Sequence, residues 1–231
     1  MSTIAENIAK VGARIREAAQ ASQRDCAQIG LLAVSKTKTA EAIREAHAAG
    51  IRDFGENYLQ EALEKQTQLS DLPLIWHFIG PIQSNKTRPI AEHFDWVHSV
   101  DRLKIAQRLS DQRPAHLPPL NICLQVNVSG EDSKSGCSPS ELVELARAVT
   151  ALPKLKLRGL MAIPEPTDDV AAQHAAFARL RQLRDELALN LDTLSMGMSH
   201  DLEAAIAEGA TWVRIGTALF GARDYGQTAP Q

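Results

Sequence analysis

Lys36 closes the apolar run Leu31-Leu32-Ala33-Val34-Ser35, which reads as a buried strand. Burying an ammonium group is costly unless it is paired or neutralised. Desolvation lowers a lysine pKa, and a neutral amine is the nucleophile that attacks an aldehyde to give a Schiff base. The same position also suits a lysine whose stem is covered and whose head reaches solvent. Arg214 is a second outlier. In Trp212-Val213-Arg214-Ile215-Gly216, Val213 and Ile215 share one face, so Arg214 shares the other with Trp212. Arginine keeps its proton, so an inward arginine needs an acceptor, either a carboxylate such as Glu56 or a group on a ligand. Ser199 precedes a helical pattern starting at His200 and reads as an N-cap. Gly216-Thr217 offers close backbone N–H groups and a hydroxyl. Either pair of features is an ordinary cap or turn alone; together, in adjacent loops, they suit a phosphate.

These residues need a scaffold that brings them together. Short β-rich runs alternate with longer helical patterns along the chain. The strand expectations are Leu31–Ser35, Arg52–Gly55, Trp76–Ile79, Trp96–Ser99, Asn121–Asn127, Leu157–Met161, Thr193–Ser195 and Trp212–Ile215. A helical pattern follows each except the last, and a helix over Thr3–Ser22 precedes the first. Ser138-Pro139-Ser140-Glu141 is a capping box with proline at the first helical position. Gly50 and Gly209 stand where helix C-termini end. Such alternation means parallel βα units, closed as a barrel or open as a doubly wound sheet. Eight strands favour α/β closure as a single (β/α)8 TIM-type barrel with an extra N-terminal helix. It forms one domain over 1–231, with 224–231 read as a loose tail. In a barrel the chemistry gathers at the C-terminal strand ends. Those ends carry Lys36, Gly55-Glu56-Asn57, His77 and Gly80, Asn127, Met161, Ser195–Ser199 and Arg214–Thr217. Strand eight closes beside strand one, which puts Arg214 near Lys36.

An imine-forming lysine, a phosphate cradle and an arginine seeking an acceptor suit an aldehyde, a phosphate and a ring nitrogen in one molecule. Pyridoxal 5′-phosphate (PLP) has all three. A permanent cation at the pyridine nitrogen would keep it unprotonated and weaken the ring as an electron sink. The same residues also allow a barrel enzyme that holds a phosphorylated sugar on its lysine.

Six segments are distinctive: Ala33-Val34-Ser35-Lys36-Thr37, Phe54-Gly55-Glu56-Asn57-Tyr58, Trp76 to Lys86 (WHFIGPIQSNK), Gly159-Leu160-Met161, Leu194 to Ser199 (LSMGMS) and Val213 to Thr217 (VRIGT). Over Ile4 to Ala222 the chain resembles the pyridoxal phosphate homeostasis protein family, itself similar to the N-terminal barrel domain of alanine racemase. The resemblance implies PLP on Lys36, ring-nitrogen contact from Arg214 and phosphate contact from Ser199, Gly216 and Thr217. It places Asn57 and His77 in motifs that line the pocket. It implies a protein that buffers free PLP or delivers it to apo PLP-dependent enzymes, with no catalytic residues. The alternative is a small racemase-like enzyme, with Lys36 serving one face of the substrate and His77 or Tyr58 the other. A racemase of this type needs a covering domain. The sequence stops soon after strand eight, and Tyr225 lies in the expected tail.

Bulk composition narrows the partners. The chain has 231 residues, 44% apolar, with a net charge of −3. Its isoelectric point is about 6.2. That balance, with 4% aromatic residues, favours neither nucleic acid nor an anionic membrane. No apolar stretch is long enough to span a bilayer, and the N-terminus lacks the apolar core of a signal peptide. Cys26, Cys123 and Cys137 have no CxxC spacing and read as reduced thiols of a cytoplasmic monomer. His93 and His98 lack metal-ligand spacing. Ser133-Lys134-Ser135-Gly136 lacks the glycines of a P-loop, and Lys134 reads as a solvated loop residue.

Overall fold

The computed structural model describes residues 1–130, 132 and 135–222. The expected tail, Tyr225, Ser133 and Lys134 lie outside the described residues. Eight parallel strands form a closed barrel in sequence order: β1 (Gly30–Val34), β2 (Asp53–Glu56), β3 (Ile75–Phe78), β4 (Trp96–Val100), β5 (Leu120–Gln125), β6 (Leu155–Met161), β7 (Thr193–Ser195) and β8 (Trp212–Ile215). Each expected strand is present within a residue or two at its ends. Closure comes from the pairing of β8 with β1, with Leu32 opposite Arg214 and Ala33 opposite Ile215. This excludes the open sheet.

Eight helices surround or precede the strands: α1 (Ile4–Ala21), α2 (Ala40–Ala48), α3 (Leu59–Gln68), α4 (Thr87–His93), α5 (Leu103–Gln112), α6 (Pro139–Thr150), α7 (Val170–Glu186) and α8 (Leu202–Ala207). Their ends follow local chemistry. Thr3 and Glu6 cap α1 reciprocally, as Ser138 and Glu141 cap α6 behind Pro139. Gly50 (φ 105°) and Gly209 (φ 108°) take the left-handed conformation just past α2 and α8. A one-turn α9 (Thr217–Phe220) follows β8, where the sequence pattern predicts none. It forms because Leu219 is buried and the Leu219 and Phe220 amides both donate to Gly216 O.

Strand side chains alternate between two environments. One set, including Ala33, Phe54, Val97, Ile122 and Val213, joins the core under the helices. The other fills the barrel interior, where Ile75, Trp96, Cys123 and Met161 pack together. Burial pushes the Cys123 thiol up to about 12, so it is inert filling at neutral pH. No helix among the described residues is long and apolar enough to cross a membrane.

Candidate cofactor site

Lys36 is half-buried and stands two residues past the end of β1. The loop carrying it is held from below. Lys65, on α3, buries its ammonium against Ser35 O (2.7 Å), Glu56 Oε1 (2.8 Å) and Glu61 Oε1 (2.6 Å). Ser35 Oγ donates to the same Glu56 oxygen at 2.7 Å. Burial pushes the Glu56 carboxyl up, against the pull of Lys65 and Ser35, and Oε2 has no hydrogen-bond partner among the described residues. Thr37, next to Lys36, adopts φ 64°. A β-branched residue in the left-handed region is strained by about 1–3 kcal/mol and persists only where its surroundings fix it. Here its amide donates to Glu61 Oε1 at 2.6 Å. Lys38 Nζ donates to Ala222 O at 2.8 Å and ties the same loop to the segment after α9.

Gly216 and Thr217 lie beside this loop. The nearest atoms to a Cβ built on Gly216 belong to Val34, at 3.5 Å. The first amides of α9 have no earlier carbonyl within their own helix, and Thr217 is exposed. Lys36 and Gly216-Thr217 therefore follow the paired ends of β1 and β8, as their strand-end positions require.

Arg214 also belongs to this seam but lies deeper, level with Leu32 rather than with Lys36. It is 4% exposed. Nη1 donates to Ser195 Oγ at 2.7 Å and Nη2 to Ala162 O at 2.9 Å. Glu56 is not its acceptor, because that carboxylate is taken by Lys65. Burial pushes the guanidinium down to about 10, so it remains charged at neutral pH.

The remaining expected residues separate. Asn57 follows β2 and lines a cavity of about 290 Å3 at the C-terminal strand ends, with Ile79, Gln125, Ile163 and Pro164. Asn57 Oδ1 is buried with no hydrogen-bond partner among the described residues. His77 does not reach this cavity. Its ring is fully buried inside the barrel, with Nδ1 2.8 Å from His98 Nε2 and Nε2 2.8 Å from Asp53 Oδ1. It stacks on Trp96 at 5.4 Å. Alternation shows that His77 faces inward, but its depth is set by where the barrel places Gly55 beside it.

Ser199 is not an N-cap. α8 begins at Leu202 with Asp201 as its cap residue. Asp201 Oδ1 accepts from Met198 N at 2.7 Å, which closes a turn over 199–201 and delays the helix. Ser199 O accepts from Arg14 Nη2 at 2.9 Å. The Ser199 hydroxyl makes no hydrogen bond to the described residues.

Sequence reasoning missed two networks. One is Glu56–Lys65–Ser35. Its only linear trace is Glu61 four residues before Lys65 on one helix face. The other is the interior run Asp53–His77–His98–Ser195–Arg214, completed by His98 Nδ1 to Ser195 Oγ at 2.7 Å. Its trace is the alternation that puts His98 on the face of Trp96.

Comparison with known proteins agrees with this fold. A family profile described as "Alanine racemase, N-terminal domain" matches residues 6–224. A pyridoxal phosphate homeostasis protein of Pseudomonas aeruginosa is 81% identical over 229 residues, covering 99% of this chain and 100% of the relative. Its namesake in Escherichia coli is 57% identical over 235 residues, covering 97% and 99%. The structure of PipY from Synechococcus elongatus with PLP bound matches with a TM-score of 0.83 at 43% identity, covering 95% of this chain and 100% of that one. The alanine racemase of Corynebacterium glutamicum shares the fold, with a TM-score of 0.67 at 18% identity over 98% of this chain and 62% of that one. The chain belongs to the pyridoxal phosphate homeostasis protein family.

Proposed function

We propose that this protein binds pyridoxal 5′-phosphate at the β8–β1 rim, with Lys36 as the point of attachment, and buffers or delivers it without catalysing a reaction of its own. Support comes from relatives named for PLP homeostasis and from PipY, solved with PLP bound. Within this chain, the observation that carries the reading is the meeting of three groups at one seam. They are the backbone that carries Lys36, the Gly216-Thr217 turn beside Val34, and Arg214 one level deeper on β8. Asn57 supplies a further test of fit. An unpaired buried acceptor costs about 1–3 kcal/mol, and a ligand hydroxyl satisfies it. The residues present fit the cofactor.

When bound, PLP supplies an aldehyde carbon for a lysine amine and a conjugated ring that can accept electrons. Lys36 provides that amine from a loop that Glu61 and Lys65 hold in place. Gly216 and Thr217 bind the phosphate through backbone N–H groups and a hydroxyl, and Ser199 adds its hydroxyl rather than a helix terminus. Arg214 uses its remaining N–H donors on the ring nitrogen. Because it stays protonated, it holds that nitrogen without a proton and limits the ring's capacity to store negative charge.

Two-base chemistry would need a second proton carrier near Lys36. His77 has both ring nitrogens engaged inside the barrel, and Tyr58 is half exposed at the start of α3. This favours a carrier over a racemase. The free thiols of Cys26, Cys123 and Cys137 fit a reducing compartment, so we place this work in the cytoplasm.

Borohydride reduction of the PLP-loaded protein, followed by peptide mass mapping, tests the attachment. The pyridoxyl group is expected on Lys36. A fully yellow Lys36→Ala protein with the adduct elsewhere would refute it.

A further inference from the structure

A second cavity, of about 670 Å3, opens at the other end of the barrel. Its lining comes from strand beginnings: Gly30 of β1, Trp96 of β4, Thr193 of β7 and Trp212 of β8. The N-terminal face of such barrels ordinarily serves stability and carries packed side chains. Here it carries charge. Arg24, Arg158 and Arg184 line the cavity against a single lining carboxylate, Asp192.

The three arginines are not equally satisfied. Arg158 is engaged by Asp192 at 2.9 Å, and its guanidinium carbon lies 4.6 Å from the centre of the Trp96 ring. Arg184 pairs with Asp185, which is largely exposed, at 3.0 Å. Arg24 has no carboxylate partner among the described residues. Its Nη1 donates to Ile206 O and Ala210 O, both at 2.8 Å. Those two bonds fix the guanidinium at the cavity wall and leave its other N–H donors uncommitted. Burial, and then the nearby Arg184 charge, hold Arg24 below its ordinary pKa. Arg24 thus brings to the wall a charge with no carboxylate partner among the described residues, and an anion beside it would supply the counter-charge.

The floor is aromatic. Trp212 is half-buried and meets Trp96 edge-on, with centroids 5.9 Å apart and planes at 77°. Its ring lies so close to the β1 backbone that a Cβ on Gly30 would stand 2.3 Å from a ring carbon. Only glycine at position 30 permits that placement.

We propose that this cavity is a second ligand site, for a small planar anion: an aromatic or heteroaromatic ring bearing a phosphate or carboxylate group. The ring lies on the Trp212 indole, and the acidic group is held by Arg24 and Arg184. Guanidinium groups match planar and tetrahedral oxyanions in paired hydrogen bonds, and an indole matches a flat ring. The volume is in the range of small-molecule sites, about 300–1,000 Å3. The site stands apart from Lys36 and does not depend on what Lys36 binds.

Intrinsic fluorescence reads this site directly, because two of the three tryptophans form its floor. The full chain is titrated with phenyl phosphate, and with phenol and inorganic phosphate as the two halves of that probe. Saturable quenching is expected with phenyl phosphate, at an affinity about tenfold or more above phenol, the scale of a charge-assisted hydrogen bond. Arg184→Gln should weaken phenyl phosphate binding by a similar factor, while Lys36→Ala and Thr217→Ala leave it unchanged. Arg24→Ala also loses the two bonds that tie it to α8 and its following turn, so Arg184→Gln is the decisive variant. The proposal is overturned by any of three results: no saturable change, equal binding of phenol, or binding lost in Thr217→Ala but kept in Arg184→Gln.

Discussion

Arg214 Nη1 donates to Ser195 Oγ at 2.7 Å, at one end of a run of hydrogen bonds whose direction is set at the other end by Asp53, a carboxylate that only accepts. With both imidazoles neutral, His98 Nδ1 is an acceptor and takes the Ser195 hydroxyl proton, 2.7 Å away. A neutral His98 then carries its proton on Nε2 and donates to His77 Nδ1, and His77 Nε2–H donates to Asp53 Oδ1. All four bonds point the same way. The buried cation of β8 is answered by a carboxylate of β2 through two uncharged imidazoles and a hydroxyl.

Ser195→Ala should cut this chain and leave the Arg214 N–H and His98 Nδ1 both unpaired in the interior. The expected loss of stability is about 1–3 kcal/mol, as for orphaning buried polar groups. Cofactor affinity should fall with it, because Arg214 loses its anchor. Ser195→Thr keeps the hydroxyl and should restore much of both. Urea unfolding and PLP titration check the pair of effects; an affinity unchanged in Ser195→Ala would detach Arg214 from the cofactor.

Acid should weaken the fold through His77 and His98. Burial holds both below the ordinary histidine value of 6.5, with the His77 and Arg214 charges adding to the effect on His98. The unfolded chain therefore takes up protons as pH falls through 6.5, while the folded chain does not. Stability is fully present above that pH and declines below it, by about 1.4 kcal/mol per pH unit for each histidine. Urea midpoints should hold from about pH 7.5 to about pH 6.5 and fall from there to about pH 5.5. A flat profile would mean that both imidazoles take up protons in the folded chain as readily as in the unfolded one.

Lys65→Met should be more damaging than its helical position suggests. It leaves Glu56 buried without its cation, a change worth about 3–5 kcal/mol. It also frees the Ser35 carbonyl and Glu61 next to Lys36. The double variant Glu56→Gln with Lys65→Met should recover most of the stability. Thermal melts of the three proteins give the comparison; a double variant as unstable as the single would show that Lys65 acts through Ser35 and Glu61 alone.

Thr217→Val removes a hydroxyl from the rim without changing side-chain size much. Affinity for pyridoxal 5′-phosphate should fall by about 1–3 kcal/mol, and affinity for unphosphorylated pyridoxal should hold. Equal losses for both would place the effect away from the phosphate.

Transfer of PLP from the loaded protein to an apo PLP-dependent enzyme should restore that enzyme faster than free release of the cofactor allows. Recovery at the rate of free release would reduce the role to passive buffering. Sustained racemisation of alanine that disappears in Lys36→Ala would establish an enzyme.

Much of the architecture was legible because a parallel barrel buries each strand on both faces. Runs such as Leu31–Ser35 and Trp96–Ser99 are short and nearly continuous, and the helices between them are well capped. The places of Lys36, Arg214, Gly216 and Thr217 along β1 and β8 were legible for the same reason. What failed was depth and partnership. An inward histidine at position 77 can be at the rim or in the middle of the barrel, and only the stagger between β2 and β3 decides. The choice between Ser199 and Asp201 as cap turns on one bond to the Met198 amide. Lys65 carries no signal of its role in the linear sequence, because Ser35 and Glu56 reach it from β1's end and from β2. His98 was dismissed for lacking metal-ligand spacing, although its place on the inward face beside Trp96 was readable.

The β8–β1 closure also orders events during synthesis. Lys36 leaves the ribosome well before Gly216-Thr217, and the barrel seam that joins their strands cannot form until both are out. A nascent chain therefore carries the Lys36 amine through the synthesis of β2 to β7 with no β8 beside it. The β8–β1 rim is assembled in one late step, so on the proposed reading a chain stalled before β8 would offer the Lys36 amine without the phosphate contacts of Gly216 and Thr217.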